Sequence, residues 1–127
     1  MTAVLIDTHI WAWSLQGEAK LTPKAIQSMR QATELKISPI SFYEIAQKVR
    51  LGKWGEMAVY SDRLAELAEE QALGIAELKP AIAASAGLLD WSNRDPFDRI
   101  IAATARHYGF QLLSADVKFD GIVTRIW

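Results

Sequence analysis

The chain contains no cysteine, and this absence removes several kinds of chemistry at once. Disulfide frameworks, thiolate zinc sites, iron–sulfur clusters and cysteine nucleophiles are excluded, which fits a reducing compartment. No apolar stretch approaches the roughly 20 residues that a membrane span requires. The apolar run near the first residue is short, ends at Asp7 and follows no basic segment, so it does not resemble a signal peptide. We therefore expect a cytoplasmic protein that makes no membrane contact.

An excess of positive charge is also missing. The 14 Lys and Arg residues are balanced by 15 Asp and Glu residues, which gives a formal net charge of −1. Such a chain cannot hold a nucleic acid through its overall field, so any nucleic-acid contact must be a local patch. Half of the 127 residues are hydrophobic and 23% are charged, which is a globular composition rather than a disordered one. This length predicts one domain over residues 1–127.

Short apolar, β-prone runs alternate with helical patterns along the whole chain. Strands are predicted at residues 4–6, 35–38, 74–77, 111–114 and 122–126. Helices are predicted at 9–15 with Thr8 as N-cap, at 22–32, at 41–52, from Ser61, at 80–89 and at 97–108. Strand–helix alternation favours an α/β fold, a three-layer α/β/α sandwich with a mainly parallel central sheet.

Four acidic residues occupy positions where ligands bind in such folds. Asp7 ends the first strand and Asp116 follows the fourth, whereas Glu44 and Asp98 lie in the predicted first turns of two helices. Strand carboxyl ends and the helix starts that follow them meet at one edge of a parallel sheet, so the four carboxylates are expected in one cleft. An all-oxygen ligand set suits Mg²⁺ or Mn²⁺ rather than zinc.

Each acid also has a structural explanation. Ser41 and Glu44 have the spacing of a capping box, and Asp98 suits the positive end of a helix dipole. Asp95 before Pro96 has the pattern of an N-cap, and Asp116 is a common turn residue. The two histidines, His9 and His107, are expected to be a packed side chain and a helix-end residue.

The acids taken together favour a metal site. Asp7 has no such explanation, because strand propensity disfavours aspartate. Crowded carboxylates resist ionisation unless a cation lies among them. No Walker loop, G-x-G-x-x-G or G-x-S-x-G motif competes for the assignment.

Four segments resemble the PIN domain family, and most closely its VapC-like ribonuclease toxins of bacterial toxin–antitoxin pairs. They are LIDTH at residues 5–9, SFYEIA at 41–46, RDPFDRIIAATA at 94–105 and LSAD at 113–116. The run KVRLGK at residues 48–53 is typical of one branch of the family. The four segments occur in the family's order and span nearly the whole chain.

The resemblance implies a Mg²⁺- or Mn²⁺-dependent endoribonuclease that leaves a 5′-phosphate and a 3′-hydroxyl. Asp7, Glu44, Asp98 and Asp116 match the family's metal-binding acids, while Thr8 and Ser114 match hydroxyl positions near the metal. The family also implies a homodimer and a cognate antitoxin whose tail lies along a groove of the toxin, forming a hetero-oligomer.

Candidate contacts with RNA and with the antitoxin follow from basic and aromatic residues near these segments. The RNA candidates are Lys48, Arg50, Lys53, Arg94 and Arg99. Helix-end charges and surface ion pairs are the alternative explanation for them. Trp11 and Trp13 cannot both face the core from one helix, so at least one of them is expected in the antitoxin groove.

Two other functions remain open at the level of the sequence. A Mg²⁺-dependent phosphatase or phosphoacceptor domain would also place an aspartate at a strand end, but Asp7 lacks the second acid that such domains use. A non-catalytic RNA- or protein-binding adaptor with this fold should have an incomplete acid set, and this one is complete. Metal-dependent cleavage of RNA distinguishes the three.

Overall fold

Five parallel strands form one sheet in the computed structural model, which describes residues 3–127. The strands are β1 (Ala3–Ile6), β2 (Glu34–Ile37), β3 (Gly74–Ile75), β4 (Gln111–Leu113) and β5 (Arg125–Ile126). Their order is β3-β2-β1-β4-β5, and every neighbouring pair is parallel. The predicted parallel α/β fold is confirmed, although the edge strands β3 and β5 are shorter than the sequence pattern predicts.

Six α-helices connect these strands within the described residues. They are α1 (Thr8–Leu15), α2 (Pro23–Gln31), α3 (Pro39–Arg50), α4 (Leu64–Glu70), α5 (Pro80–Leu88) and α6 (Pro96–Tyr108). Four of them begin with proline, whose fixed φ suits the first helical position and whose missing N–H costs nothing there. Single 3₁₀ turns cover Gly55–Met57 and Val117–Phe119.

Three helix starts differ from the sequence prediction. Asp7, not Thr8, is the N-cap of α1, because its own carboxylate accepts the Thr8 backbone N–H. Ser38 caps α3 and Pro39 follows it, so the capping box between Ser41 and Glu44 is wrong. Helix α4 begins at Leu64, three residues after the predicted start.

The core lies on both faces of the sheet because successive strand side chains point in opposite directions. From β1, Val4 and Ile6 pack with buried residues of α1, α3 and α4. Leu5 points to the other face and packs with Ile101 of α6. Helix α5 lies against α6 through a smaller cluster. These contacts give the three predicted layers.

Trp11 belongs to the first of these cores and corrects a predicted partner contact. Its side chain is fully buried, its Nε1–H donates to Gln71 Oε1 at 2.7 Å, and its ring centroid lies 4.8 Å from that of Phe42. A fully buried ring cannot face an antitoxin groove, so that prediction is wrong for Trp11. Trp13 remains half-buried.

One edge of the sheet gathers the carboxyl ends of β1, β2 and β4 and the first turns of α1, α3 and α6. The Asp7 N–H donates to the Leu113 carbonyl at 3.0 Å, which ties the end of β1 to the end of β4. Within residues 3–127, no helix is long and apolar enough to cross a membrane.

Candidate active site

A cleft of about 370 Å³ lies at this edge of the sheet, and acidic side chains dominate its lining. Five carboxylates face two lysines, so the cleft holds more potential negative than positive charge. All four of the predicted metal-binding acids contribute to it. Its lining residues are Asp7, His9, Trp13, Glu44, Lys48, Asp95, Asp98, Ala115, Asp116 and Lys118.

Asp7 is the most buried acid of the cleft after Glu44, with 6% of its surface exposed. Its Oδ1 accepts the Thr8 N–H and its Oδ2 accepts the Ser114 hydroxyl, both at 2.7 Å. Burial raises the pKa of Asp7 to about 6, against the opposing effect of these hydrogen bonds. The negative charges of Asp98 and Glu44 contribute to this rise, because the three carboxylates repel one another.

The two predicted hydroxyl residues have different positions. Ser114 is fully buried and links two acids, because its Oγ donates to Asp7 and accepts the Asp116 backbone N–H at 3.0 Å. The Thr8 hydroxyl instead pairs with the Ser41 hydroxyl at 2.7 Å and so joins α1 to α3. Thr8 therefore contacts an acid only through its backbone N–H.

Glu44 was predicted in the first turn of α3. It lies in the second turn instead, because the helix begins at Pro39. Its side chain is 5% exposed, and its Oε2 is 2.6 Å from Lys48 Nζ, one helical turn further along. The buried carboxylate thus has a cationic partner at the wall of the cleft. Lys48 is the one predicted RNA-binding residue that lines the cleft.

Asp98 lies in the first turn of α6 and is held by the loop before that helix. Its Oδ2 accepts from Asn93 Nδ2 at 2.9 Å, and the Asn93 side-chain oxygen accepts the Asp95 N–H at 3.0 Å. Asp95 is the N-cap of α6, as predicted, since its Oδ1 accepts the Phe97 N–H at 2.8 Å. Burial raises the pKa of Asp98, and the nearby Asp95 carboxylate adds to that rise.

Asp116 follows β4 and is the most exposed of the four acids, at 35% of its side chain. It caps the turn that contains Lys118, whose Nζ lies 3.3 Å from Asp116 Oδ2 and 3.7 Å from Asp98 Oδ2. The hydrogen bond to Asp116 raises the pKa of Lys118. Lys118 therefore bridges two acids that belong to different segments.

Two of the predicted RNA-binding residues, Arg50 and Lys53, lie at and just after the end of α3. Both are exposed, and neither lines the cleft. Arg94 is exposed beside a separate small cavity that it shares with Arg99. These three residues stay predictions, because no contact of theirs bears on RNA.

Arg99 corrects the sequence prediction. Its guanidinium donates to backbone carbonyls of the α5 end and of the following loop, which are those of Ala86, Gly87, Leu89, Trp91 and Asn93. These five bonds engage the side chain in holding the loop that carries Asn93. The assignment of Arg99 to RNA is wrong because its donors are already used.

Three residues of the site were not predicted from the sequence: Asn93, Lys118 and His9, which was expected to be a packed side chain. Asn93 and Lys118 lie in loops whose approach to the acids depends on the folded chain, so no local pattern marks them. His9 follows Asp7 by two residues on α1, and that spacing places it near the same edge. Burial of part of its ring lowers the pKa of His9, and the Lys48 charge lowers it further.

The donor set fits a hard divalent cation, since the acids offer only oxygen and two of them have raised pKa values. As the side chains stand, no three acids or histidines within residues 3–127 are grouped so that they could hold a metal ion. Lys48 and Lys118 already neutralise part of the acidic charge. A cation would have to displace these ammonium groups.

Comparison with known proteins agrees with this architecture. The PIN domain family matches residues 4–123. Ribonuclease VapC22 of Mycobacterium tuberculosis is 34% identical over 118 residues, which are 91% of this chain and 88% of that protein.

Two solved structures share the fold. A toxin–antitoxin complex from Klebsiella pneumoniae aligns with a TM-score of 0.69 and 20% identity, over 98% of this chain and 96% of that one. VapBC2 from Rickettsia felis, bound to a DNA fragment from its promoter, aligns with a TM-score of 0.67 and 15% identity over 98% of both chains. On the family match and the VapC22 identity, the chain belongs to the PIN domain family and, within it, to the VapC-like ribonucleases of toxin–antitoxin systems.

Proposed function

We propose that the acidic cleft is the active site of a Mg²⁺- or Mn²⁺-dependent endoribonuclease, and that residues 1–127 act as one nuclease domain. The observation that carries the proposal is the convergence of the four acids on one cleft, where burial and mutual repulsion raise the pKa of Asp7 to about 6. Acids held at such a cost are typical of functional sites. Family membership favours RNA cleavage over the phosphatase and adaptor alternatives.

Asp7, Glu44 and Asp98 are proposed as the principal metal ligands, with Asp116 as a further ligand. These acids would hold a divalent cation, which would supply an activated water and neutralise charge that develops on the phosphate. No hydroxyl or thiol side chain is among the residues that line the cleft, which fits direct attack by water.

The remaining polar residues position these acids. Ser114 fixes the Asp7 carboxylate and the Asp116 backbone through one hydroxyl. Thr8 and Ser41 hold the start of α1 against α3, which sets the distance between Asp7 and Glu44. Asp95 caps α6 and, together with Asn93, orients Asp98.

Two lysines are placed to contact the RNA backbone. Lys48 and Lys118 line the cleft, and their side chains are 29% and 56% exposed. Each can therefore contact a phosphate within the cleft. With a cation held by the acids, both ammonium groups would be free to pair with the substrate. Arg50, Lys53 and Arg94 are proposed as more distant contacts.

A cognate antitoxin is the proposed partner, since the similar structures from Klebsiella pneumoniae and Rickettsia felis are toxin–antitoxin complexes. We propose a cytoplasmic homodimer that joins the antitoxin in a hetero-oligomer. Trp13 is half-buried and lines the cleft, so an antitoxin segment that covers it can point an arginine or lysine at the carboxylates.

The test is RNA cleavage by the purified chain, alone and with the product of its neighbouring open reading frame. We expect cleavage that requires Mg²⁺ or Mn²⁺, stops in EDTA and is inhibited by the neighbouring protein. Equal cleavage in EDTA would contradict the metal-dependent function. A neighbour that neither binds nor inhibits, with harmless expression of this chain alone, would contradict the toxin role.

A further inference from the structure

Four aromatic rings form a row next to the cleft, and two of them, those of His9 and Trp13, line it. His9 lies 4.8 Å from Trp54 and 6.0 Å from Trp13, and Trp13 lies 6.0 Å from Trp127, all between ring centroids. Lys48 Nζ is 5.4 Å from the centroid of Trp54. At the other side of the row, Lys20 Nζ is 5.9 Å from that of Trp13. Two of the four rings, those of Trp54 and Trp13, therefore have an ammonium group beside them.

His9 and Trp54 form the end of this row that lies next to the acids. His9 follows Asp7 by two residues and lines the cleft, and Lys48 is bonded to Glu44 while its ammonium group faces Trp54. A substrate whose phosphate reaches the acids comes close to His9, which lines the cleft with them. The mechanism proposed above gives His9 and Trp54 no task.

Trp54 packs against the core on one side, but neither it nor His9 is fully buried. Trp11, on the same helix as His9, is fully buried and its indole N–H is bonded to Gln71. His9 is exposed, and Trp54 is half-buried with its ring tilted 31° from the imidazole. A pair of tilted rings that keeps exposed surface beside a cationic group offers an aromatic surface on which a nucleic-acid base can stack.

We propose that His9 and Trp54, with Lys48 beside them, form a stacking surface for one base of the RNA substrate next to the cleaved phosphate. The inference rests on the proposed function and adds that this part of the substrate is single-stranded, because a base within a duplex has no free face. The base stacks on the rings, and Lys48 contacts the adjoining phosphate. Stacking accepts any base, so the surface sets the position of the strand more than its sequence.

RNA fits this surface better than an apolar protein segment does. An imidazole and an ammonium group flank the indole, and the acids proposed to hold a phosphate-binding cation line the same cleft as His9 and Lys48. An antitoxin helix would bury aliphatic side chains, for which a charged and exposed edge is unfavourable. Protein binding at these two rings is therefore the outcome that the experiment must separate from RNA binding.

The experiment measures binding of a fluorescein-labelled single-stranded RNA by fluorescence anisotropy in Mg²⁺. Asp98→Asn serves as the cleavage-deficient parent. His9→Ala and Trp54→Ala in this parent are each expected to weaken binding about tenfold, the loss of one stacked base. His9→Phe, which keeps a ring, is expected to retain most of the affinity.

The matched control is His107→Ala. His107 is also exposed and packs on an aromatic neighbour, with its centroid 4.8 Å from that of Tyr108, but it lies in the last turn of α6 outside the cleft lining. Its substitution is expected to leave RNA binding unchanged. Thermal melting of each variant shows that the fold is kept.

Abasic nucleotides, placed one at a time along the RNA, locate the stacked base. The parent is expected to lose about tenfold in affinity at one position, whereas His9→Ala and Trp54→Ala lose little more at that position. Ring variants that bind like the parent, or abasic losses that add fully to theirs, would overturn the inference alone. His9→Ala and Trp54→Ala variants that bind RNA like the parent but bind the antitoxin more weakly would also overturn it. Failure of the parent to bind any RNA would overturn the proposed function with it.

Discussion

Replacing Asp7 by asparagine should make the metal-free protein more stable while it destroys the site. The carboxylate is 6% exposed, and its pKa is raised from 3.8 to about 6. Asparagine is as good an N-cap as aspartate. Its side-chain oxygen can accept the Thr8 N–H, and its amide can donate to the Ser114 hydroxyl, so both contacts of Asp7 persist.

The size of the effect follows from the shift in pKa. Because the folded-state pKa of Asp7 lies above the unfolded value, the folded protein binds this proton more tightly. The free energy of unfolding therefore falls as the pH rises from about 4 to about 6. Above this window the ionised carboxylate costs about 3 kcal/mol, at about 1.4 kcal/mol per pKa unit. For a chain of this size that corresponds to a melting temperature higher by about 10 °C in the variant.

The assay is urea unfolding of the wild type and of Asp7→Asn in EDTA, repeated across that pH range. The variant should be more stable by about 2–3 kcal/mol near pH 8, and the two proteins should converge below about pH 4. Saturating Mg²⁺ or Mn²⁺ should stabilise the wild type and leave the variant nearly unchanged. A variant no more stable than the wild type near pH 8, or a difference that does not change with pH, would refute the reasoning.

Three further outcomes are expected. Glu44→Gln should keep the fold, because Glu44 is not a helix cap, but should weaken Mg²⁺ binding and slow RNA cleavage sharply, because a charged ligand is lost. Calorimetric metal titration beside a cleavage assay checks this, and unchanged values would contradict it. Arg99→Ala should lower the free energy of unfolding by about 3 kcal/mol, since several partly buried backbone carbonyls lose a charged donor; a urea titration that shows no loss would contradict the structural role. Trp11→Ala should cost about 3–5 kcal/mol through a core cavity, whereas an antitoxin contact alone would leave stability unchanged.

Much of the fold could be predicted because local signals agree with the tertiary structure. Asp95 before Pro96 fixes the start of α6, and Gly109, with a φ of +71°, ends it. Two competing signals near α3 show where local evidence fails. Ser41 has the spacing of a capping box, but Ser38 before Pro39 combines a cap with a preset first turn and places the N-cap three residues earlier. Glu44 moves by nearly one turn as a result.

The site was less predictable than the fold. The four acids could be found because strand ends converge in a parallel sheet. The partners that control their charge, Lys118 and Asn93, come from loops, and only the folded chain brings them to the acids. Arg99 and Trp11 were misassigned for a related reason. A basic or aromatic residue beside a motif is consistent with ligand binding, but burial and carbonyl contacts decide its role.

RNA cleavage by Asp98→Asn tests the central claim most directly. Single-turnover cleavage of a single-stranded RNA is measured for the wild type, for Asp98→Asn and for Asp62→Asn, which changes an exposed acid outside the cleft lining. We expect the wild type and Asp62→Asn to cleave at the same rate in Mg²⁺ or Mn²⁺ and not in EDTA. Asp98→Asn should be folded and inactive under every condition. Cleavage by folded Asp98→Asn at the wild-type rate would show that the acidic cleft is not the site of the reaction.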